Sequence, residues 1–150
     1  MNKKTVRDWM HHGVISCFPD TPIEEVAARM EARDVSALVV VDDSGDVIGV
    51  ISRTDLVNAR FIQPYWKYWH GMTAEHLMSK PVIGVSPETD VDAAAHLLHA
   101  KRIHRLVVVE RSGNHVRPVG ILSVTDLAKG VSEERGGQSP FLALWENNDE

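Results

Sequence analysis

The chain has 150 residues, 43 % of them apolar, which makes one compact domain or two small halves sharing a core. Its net charge of −5 argues against a general nucleic-acid binder, although a local basic pocket is compatible with it. The single Cys17 excludes an internal disulfide and fits a reducing, cytoplasmic compartment. No secretory leader is expected, and no apolar run approaches the ~20 residues of a membrane helix.

Thr5 to Met10 reads as a short helical turn, with Thr5 and Asp8 at capping-box spacing. Val14 to Phe18 is an extended segment ended by Pro19. Thr21 is the predicted N-cap of the next helix, with Pro22 at the tolerated first position and Glu24 closing the box. Ile23, Val26, Ala27 and Met30 form its apolar stripe. Leu38 to Val41 is a β-branched strand, and Ser44 and Gly45 supply turn chemistry. A second strand then runs into Ser52 and Asp55, three apart, as in a box whose oxygens satisfy free amides at a helix start.

Residues 61–72 are rich in aromatics, with Phe61, Ile62, Tyr65, Trp66, Tyr68 and Trp69 around Pro64. Pro64 is expected to stop or kink the preceding helix. Three readings stand for the aromatics: a cover over the open edge between halves, a dimer contact, or a membrane-surface or ligand role.

The same order of elements then repeats. Thr73 to Met78 copies the first turn, and Val82 to Ser86, ended by Pro87, copies the extended segment. Thr89 copies the cap, and Val91, Ala94, Ala95 and Leu98 copy the stripe. Leu38 matches Leu106 and Gly45 matches Gly113, both 68 residues apart. Gly49 matches Gly120, Ser52 matches Ser123 and Asp55 matches Asp126, all 71 apart. Constant spacing on either side of a three-residue insertion near His115 to Arg117 is the mark of an internal duplication. The expected organisation is repeat 1 over residues 5–60, a linker over 61–72, repeat 2 over 73–129 and a tail over 130–150. In the tail, Phe141, Leu142, Leu144 and Trp145 suggest a docked amphipathic turn.

Two copies of strand–helix–strand–strand–helix, each closing on Gly-h-h-Ser-x-x-Asp (h apolar), resemble a pair of CBS domains, a Bateman module. The runs Ile103 to Val109 and Val35 to Leu38 are similar to those of nucleotide-sensing members such as the γ subunit of AMP-activated protein kinase. The resemblance implies an α/β (α+β) fold with two repeats packed about a pseudo-twofold axis. It also implies two clefts for AMP, ADP, ATP or S-adenosylmethionine, a homodimer, a regulated effector protein or membrane-protein remainder, and no catalysis. Carried over by position, one cleft uses Asp55 with Ser52, Thr54 and the neighbouring Arg53, and a slot of Ile83, Gly84, Val85, Ile103 and His104. The other uses Asp126 with Ser123 and Thr125, and a slot of Ile15, Ser16, Cys17, Val35, Ser36 and Ala37. Gly84 departs from the Thr or Ser often found there.

The residues argue in the same direction. A carboxylate only accepts, which suits vicinal hydroxyls that donate. Phosphates favour Arg, Lys, His and helix N-termini. His104 and Arg105 stand where the other copy has Ser36 and Ala37, so the Asp55 cleft is expected to hold the more phosphorylated ligand. Plain helix capping is the competing role for Asp55 and Asp126. A ligand-free interaction module is the competing function. The eight histidines, with His96 and His99 at i, i+3, lack Cys or carboxylate partners at zinc-ligand spacing. No His or Asp is arranged to activate Cys17 as a nucleophile. It reads as a small packed residue and a natural probe for modification.

Overall fold

The computed structural model describes residues 4–62 and 71–134; the aromatics at 65–69 and the tail residues at 141–145 lie outside that range. The first copy contains α1 (Val6–Trp9), β1 (His11–His12), β2 (Ser16–Cys17), α2 (Ile23–Arg33), β3 (Ala37–Val41), β4 (Val47–Ser52) and α3 (Arg53–Ile62). The second contains α4 (Ala74–Leu77), β5 (Gly84–Val85), α5 (Val91–Lys101), β6 (Arg105–Ser112), β7 (His115–Ser123) and α6 (Val124–Glu134). One sheet has the order β2-β3-β4, the other β1-β7-β6-β5. In each, the short extended segment runs parallel to the middle strand, which pairs antiparallel with its hairpin partner.

The middle strands read as unbroken apolar runs because both faces are covered. Strand alternation sends Leu38 and Val40 toward the helices of repeat 1, and Leu106 and Val108 toward those of repeat 2. Val39 and Val41 go the other way and meet Val107 and Val109. These four valines, with Val50 and Ile121 beside them, are the seam between the sheets.

The duplication is a unit of sequence, whereas the packing exchanges pieces between copies. Val6 of α1 and Met10 at its C-terminal end lie in the core of repeat 2 with Leu98, Leu106 and Leu122. Ala74 of α4 lies in the core of repeat 1 with Val26, Leu38 and Ile51. This exchange corrects the expected caps. Thr21 and Thr89 do not cap their helices: the N-caps are Pro22 and Asp90, and only the Asp90 side chain accepts a bond, from Asp92 N–H at 3.0 Å. The first helical amides instead donate to incoming main chain, Ile23 to the Met72 carbonyl at 3.1 Å and Val91 to the Lys4 carbonyl at 2.8 Å. The Thr21 hydroxyl accepts from Phe18 N–H at 3.0 Å. Ala27, expected in the stripe of α2, is exposed.

The exchange also accounts for the repeated glycine. A Cβ on Gly120 would stand 2.5 Å from the His11 carbonyl of β1, the edge strand that sequence reasoning missed. A Cβ on Gly49 would run into the Met78 side chain that follows α4. Two exposed residues carry no periodicity, so β1 left no signal in the sequence.

Candidate functional site

Two helix starts, those of α3 and α6, carry the repeated Ser-x-x-Asp. In the first, Ser52 N–H and Oγ donate to Asp55 Oδ2 at 2.7 and 3.0 Å, and Asp55 N–H donates back to Ser52 Oγ at 3.3 Å. In the second, Ser123 N–H and Oγ donate to Asp126 Oδ2, both at 2.9 Å, and Asp126 N–H returns a bond at 3.1 Å. Each carboxylate therefore caps its helix with one oxygen. Among the described residues Oδ1 of each accepts no hydrogen bond, and both aspartates are partly open to solvent. Thr54 and Thr125 are exposed beside them. The loop entering each middle strand closes over the same helix start: Arg53 N–H donates to the Ser36 carbonyl, and Val124 N–H to the His104 carbonyl, both at 2.9 Å.

The basic residues near the first box have different partners. Arg105, half-buried at the start of β6, donates through Nη2 to Ser36 Oγ of the other repeat at 3.3 Å. Burial lowers its guanidinium below the ordinary arginine pKa, and the Asp55 charge opposes that. His104 is exposed and lines a groove against Val124 and Leu127 of α6. Arg105 feels the charge of Asp55, and His104 stands in the bend just before β6. Arg53 turns toward Asp34, 3.6 Å away.

The slot residues divide in the same manner. Ile83 and Gly84 are partly buried, and Gly84 sits close against Val109, so a side chain there would crowd the seam. Val85 is buried in the core of repeat 2, and Ile103 packs against that core. In the other copy Ile15 and Val35 pack against the core of repeat 1, and Ala37 is buried. Ser16 and Ser36 are exposed. The Ser16 carbonyl already accepts from Arg29 Nη1 at 2.8 Å. Cys17 is 2 % exposed, and burial pushes its thiol up to about 11. It is a core residue, and its expected use as a modification probe is corrected on that ground.

A contact that the sequence did not announce joins the two hairpin ends. Asp46 accepts from Val116 N–H at 2.8 Å, with His115 Nδ1 at 3.2 Å and Arg117 Nε at 3.7 Å. Its signal was the three-residue insertion, which carries both basic groups. Among the described residues, no three His, Cys, Asp or Glu side chains are placed to hold a metal ion, and no helix is long and apolar enough to cross a membrane.

The CBS-domain family model matches residues 6–61 and 74–133. Inosine-5'-monophosphate dehydrogenase of Mycobacterium leprae is 33 % identical over 115 residues, covering 77 % of this chain and 20 % of that enzyme. The match thus spans about a fifth of that relative's length. An uncharacterised protein of Methanopyrus kandleri, MK0525, is 29 % identical over 127 residues, 85 % of this chain and 62 % of its own. Among solved structures, CBSX2 in complex with AMP aligns with a TM-score of 0.73 at 25 % identity, covering 87 % of this chain and 98 % of its own. The CBS pair of protein MJ0100, with 5'-methylthioadenosine and S-adenosyl-L-methionine, aligns with a TM-score of 0.71 at 25 % identity, covering 83 % and 97 %. With two family matches on two copies of one fold, meeting along a valine seam, this chain belongs to the CBS-domain family as a tandem pair.

Proposed function

We propose that this CBS pair is a non-catalytic regulatory module that binds adenosine-type ligands at its two Ser-x-x-Asp boxes and changes its conformation or assembly in response. The observation that carries this reading is the divided use of each carboxylate. Oδ2 of Asp55 and of Asp126 caps a helix, while Oδ1 faces no donor among the described residues and suits a ribose hydroxyl. The adenosyl ligands of CBSX2 and MJ0100 support the ligand class. Arg105 beside Asp55 favours a phosphorylated ligand there. The Asp126 box has exposed Val124 at the place of Arg53, which favours an adenosyl ligand without phosphate. Ser52, Thr54 and Arg105 are the further ligand groups of the first site, with Ile83, Gly84 and Ile103 beside the base. Ser123 and Thr125 serve the second, with Ile15, Ser16 and Ser36.

Two copies of the chain pair in this reading, and the module regulates an effector protein in the cytoplasm or attached to it. The human chloride channel protein ClC-Kb, matched over 90 % of this chain and 20 % of its own length, shows such a region as part of a larger protein. A second reading, an interaction module with empty clefts, is favoured by exposed Val57 and Phe61 on α3.

Mass spectrometry of ligand released from the purified protein, followed by calorimetry on Asp55→Ala and Asp126→Ala, separates the readings. Each substitution should weaken one site about ten- to a hundred-fold, as expected for a lost charged hydrogen bond. If both variants lower the melting temperature yet leave adenine-nucleotide binding unchanged, the aspartates are caps only.

A further inference from the structure

A groove of about 520 Å³ lies in repeat 2 between the last turns of α5 and the first turns of α6. Leu98 and Leu127 form its apolar floor, and Val124 stands 46 % exposed at its edge. Exposed His99, Arg102 and His104 make one end of it basic, and no carboxylate lines it. The acidic residues of the two helices lie elsewhere. Asp90 and Asp92 begin α5, Glu133 and Glu134 end α6, and Asp126 accepts from Ser123 in the capping box.

The chain that follows α6 complements this groove in composition and in order. Residues 135–150 lie outside the described structure. Their sequence runs in three parts: Gly136-Gly137, then Phe141, Leu142, Leu144 and Trp145, then Glu146, Asp149 and Glu150. After Arg135 the segment carries no cation. A reversal at the two glycines, which adopt turn conformations without steric cost, sends the segment back along α6. Its apolar residues then reach Leu127 and Leu98, and its carboxylates reach the basic end. The length fits. Returning along the 11 residues of α6 takes about 16 Å, while residues 138–146 span up to about 30 Å when extended, which leaves slack for a helical turn at 141–145. Repeat 1 does not suit the same segment. In place of His99 and Arg102 it has Glu31 and Asp34, each 68 residues earlier. Asp34 and Arg102 are equivalent in structure too, as the left-handed C-caps of α2 and α5.

We propose that residues 141–150 dock in this groove of their own chain. The apolar turn covers Leu98, Val124 and Leu127, and Glu146, Asp149 and Glu150 face His99, Arg102 and His104. The tether makes docking intramolecular, so a modest contact suffices to hold the segment in place. The cover is independent of the two Ser-x-x-Asp boxes, and ligand binding there stands or falls separately.

Footprinting of the full chain with diethyl pyrocarbonate, read by mass spectrometry, tests it. His96 and His99 are both exposed on α5, but only His99 lines the groove, so His96 is the internal reference. His99 and His104 should react about tenfold more slowly than His96, whatever the protein concentration, because the cover is tethered. Leu144→Ser with Trp145→Ser should bring both up to the His96 rate by removing the apolar contact. Glu146→Lys with Asp149→Lys should do the same by setting like charges together. An unchanged His96 rate and melting curve show that these variants are folded. Equal rates at all three histidines of the unaltered chain overturn the proposal. So does protection that survives either pair of substitutions. Protection that disappears on dilution also overturns it and assigns the groove to a second copy of the chain.

Discussion

Arg105 of the second repeat donates to Ser36 Oγ of the first at 3.3 Å, and its guanidinium feels the charge of Asp55. This one side chain crosses between the copies at the mouth of a capping box. It is held weakly there, by a single neutral hydroxyl, and a ligand phosphate would be the stronger partner.

Arg105→Ala should therefore cost AMP about ten- to a hundred-fold in affinity and adenosine little, because only the charge-assisted bond to phosphate is lost. His104→Gln should change AMP binding much less, since His104 lies against α6. Calorimetry with both ligands on both variants decides. Equal losses of AMP and adenosine on removing Arg105 would mean that it serves only to hold Ser36.

Gly120→Ala should destabilise the fold more than Gly49→Ala. The new methyl at 120 meets the main-chain oxygen of His11, which cannot move without opening the β1–β7 pair. At 49 it meets the flexible side chain of Met78. Overpacking costs about 1–3 kcal/mol where the neighbour cannot yield. Urea unfolding of the two variants gives the order, and the reverse order would show that β1 is expendable.

The Asp46 contact gives an acid dependence. The Val116 N–H bond, helped by His115 and Arg117, holds the Asp46 carboxyl below its ordinary pKa. A lowered carboxyl stabilises the fold above the unfolded pKa of about 3.9, and that stability is lost as pH falls through the folded value. The melting temperatures of the unaltered chain and Asp46→Ala should differ at pH 6 and converge toward pH 2. A constant gap across that range would assign the contact to packing rather than charge.

Cys17 should resist alkylation in the folded chain. Its thiol is raised from 9.0 to about 11 and is buried in repeat 1. Two units mean a roughly hundredfold smaller thiolate fraction at neutral pH, and burial slows reaction further. Iodoacetamide labelling followed by mass should be near zero without urea and complete in it. Rapid labelling of the native protein would show that β2 opens.

Local chemistry determined a large part of this protein without any tertiary information. The duplication was legible because spacing survives any packing arrangement. The helices and strands were legible from apolar periodicity, and the Ser52–Asp55 and Ser123–Asp126 boxes formed as read because a capping box closes within four residues. What the tertiary structure decided always involved a partner distant in sequence. Thr21 lost its capping role to the main chain of Met72, and β1 exists only because β7 lies beside it. Ile-His-Arg reads as one basic cluster, and the fold gives its members partners far along the chain, Ser36 for Arg105 and the Val124–Leu127 side of α6 for His104. Asp46 is an ordinary turn residue until the second hairpin brings His115 to it from 69 residues away. Spacing along a chain is fixed by covalent geometry, whereas a charge or a cap acquires its role only from what the fold sets against it.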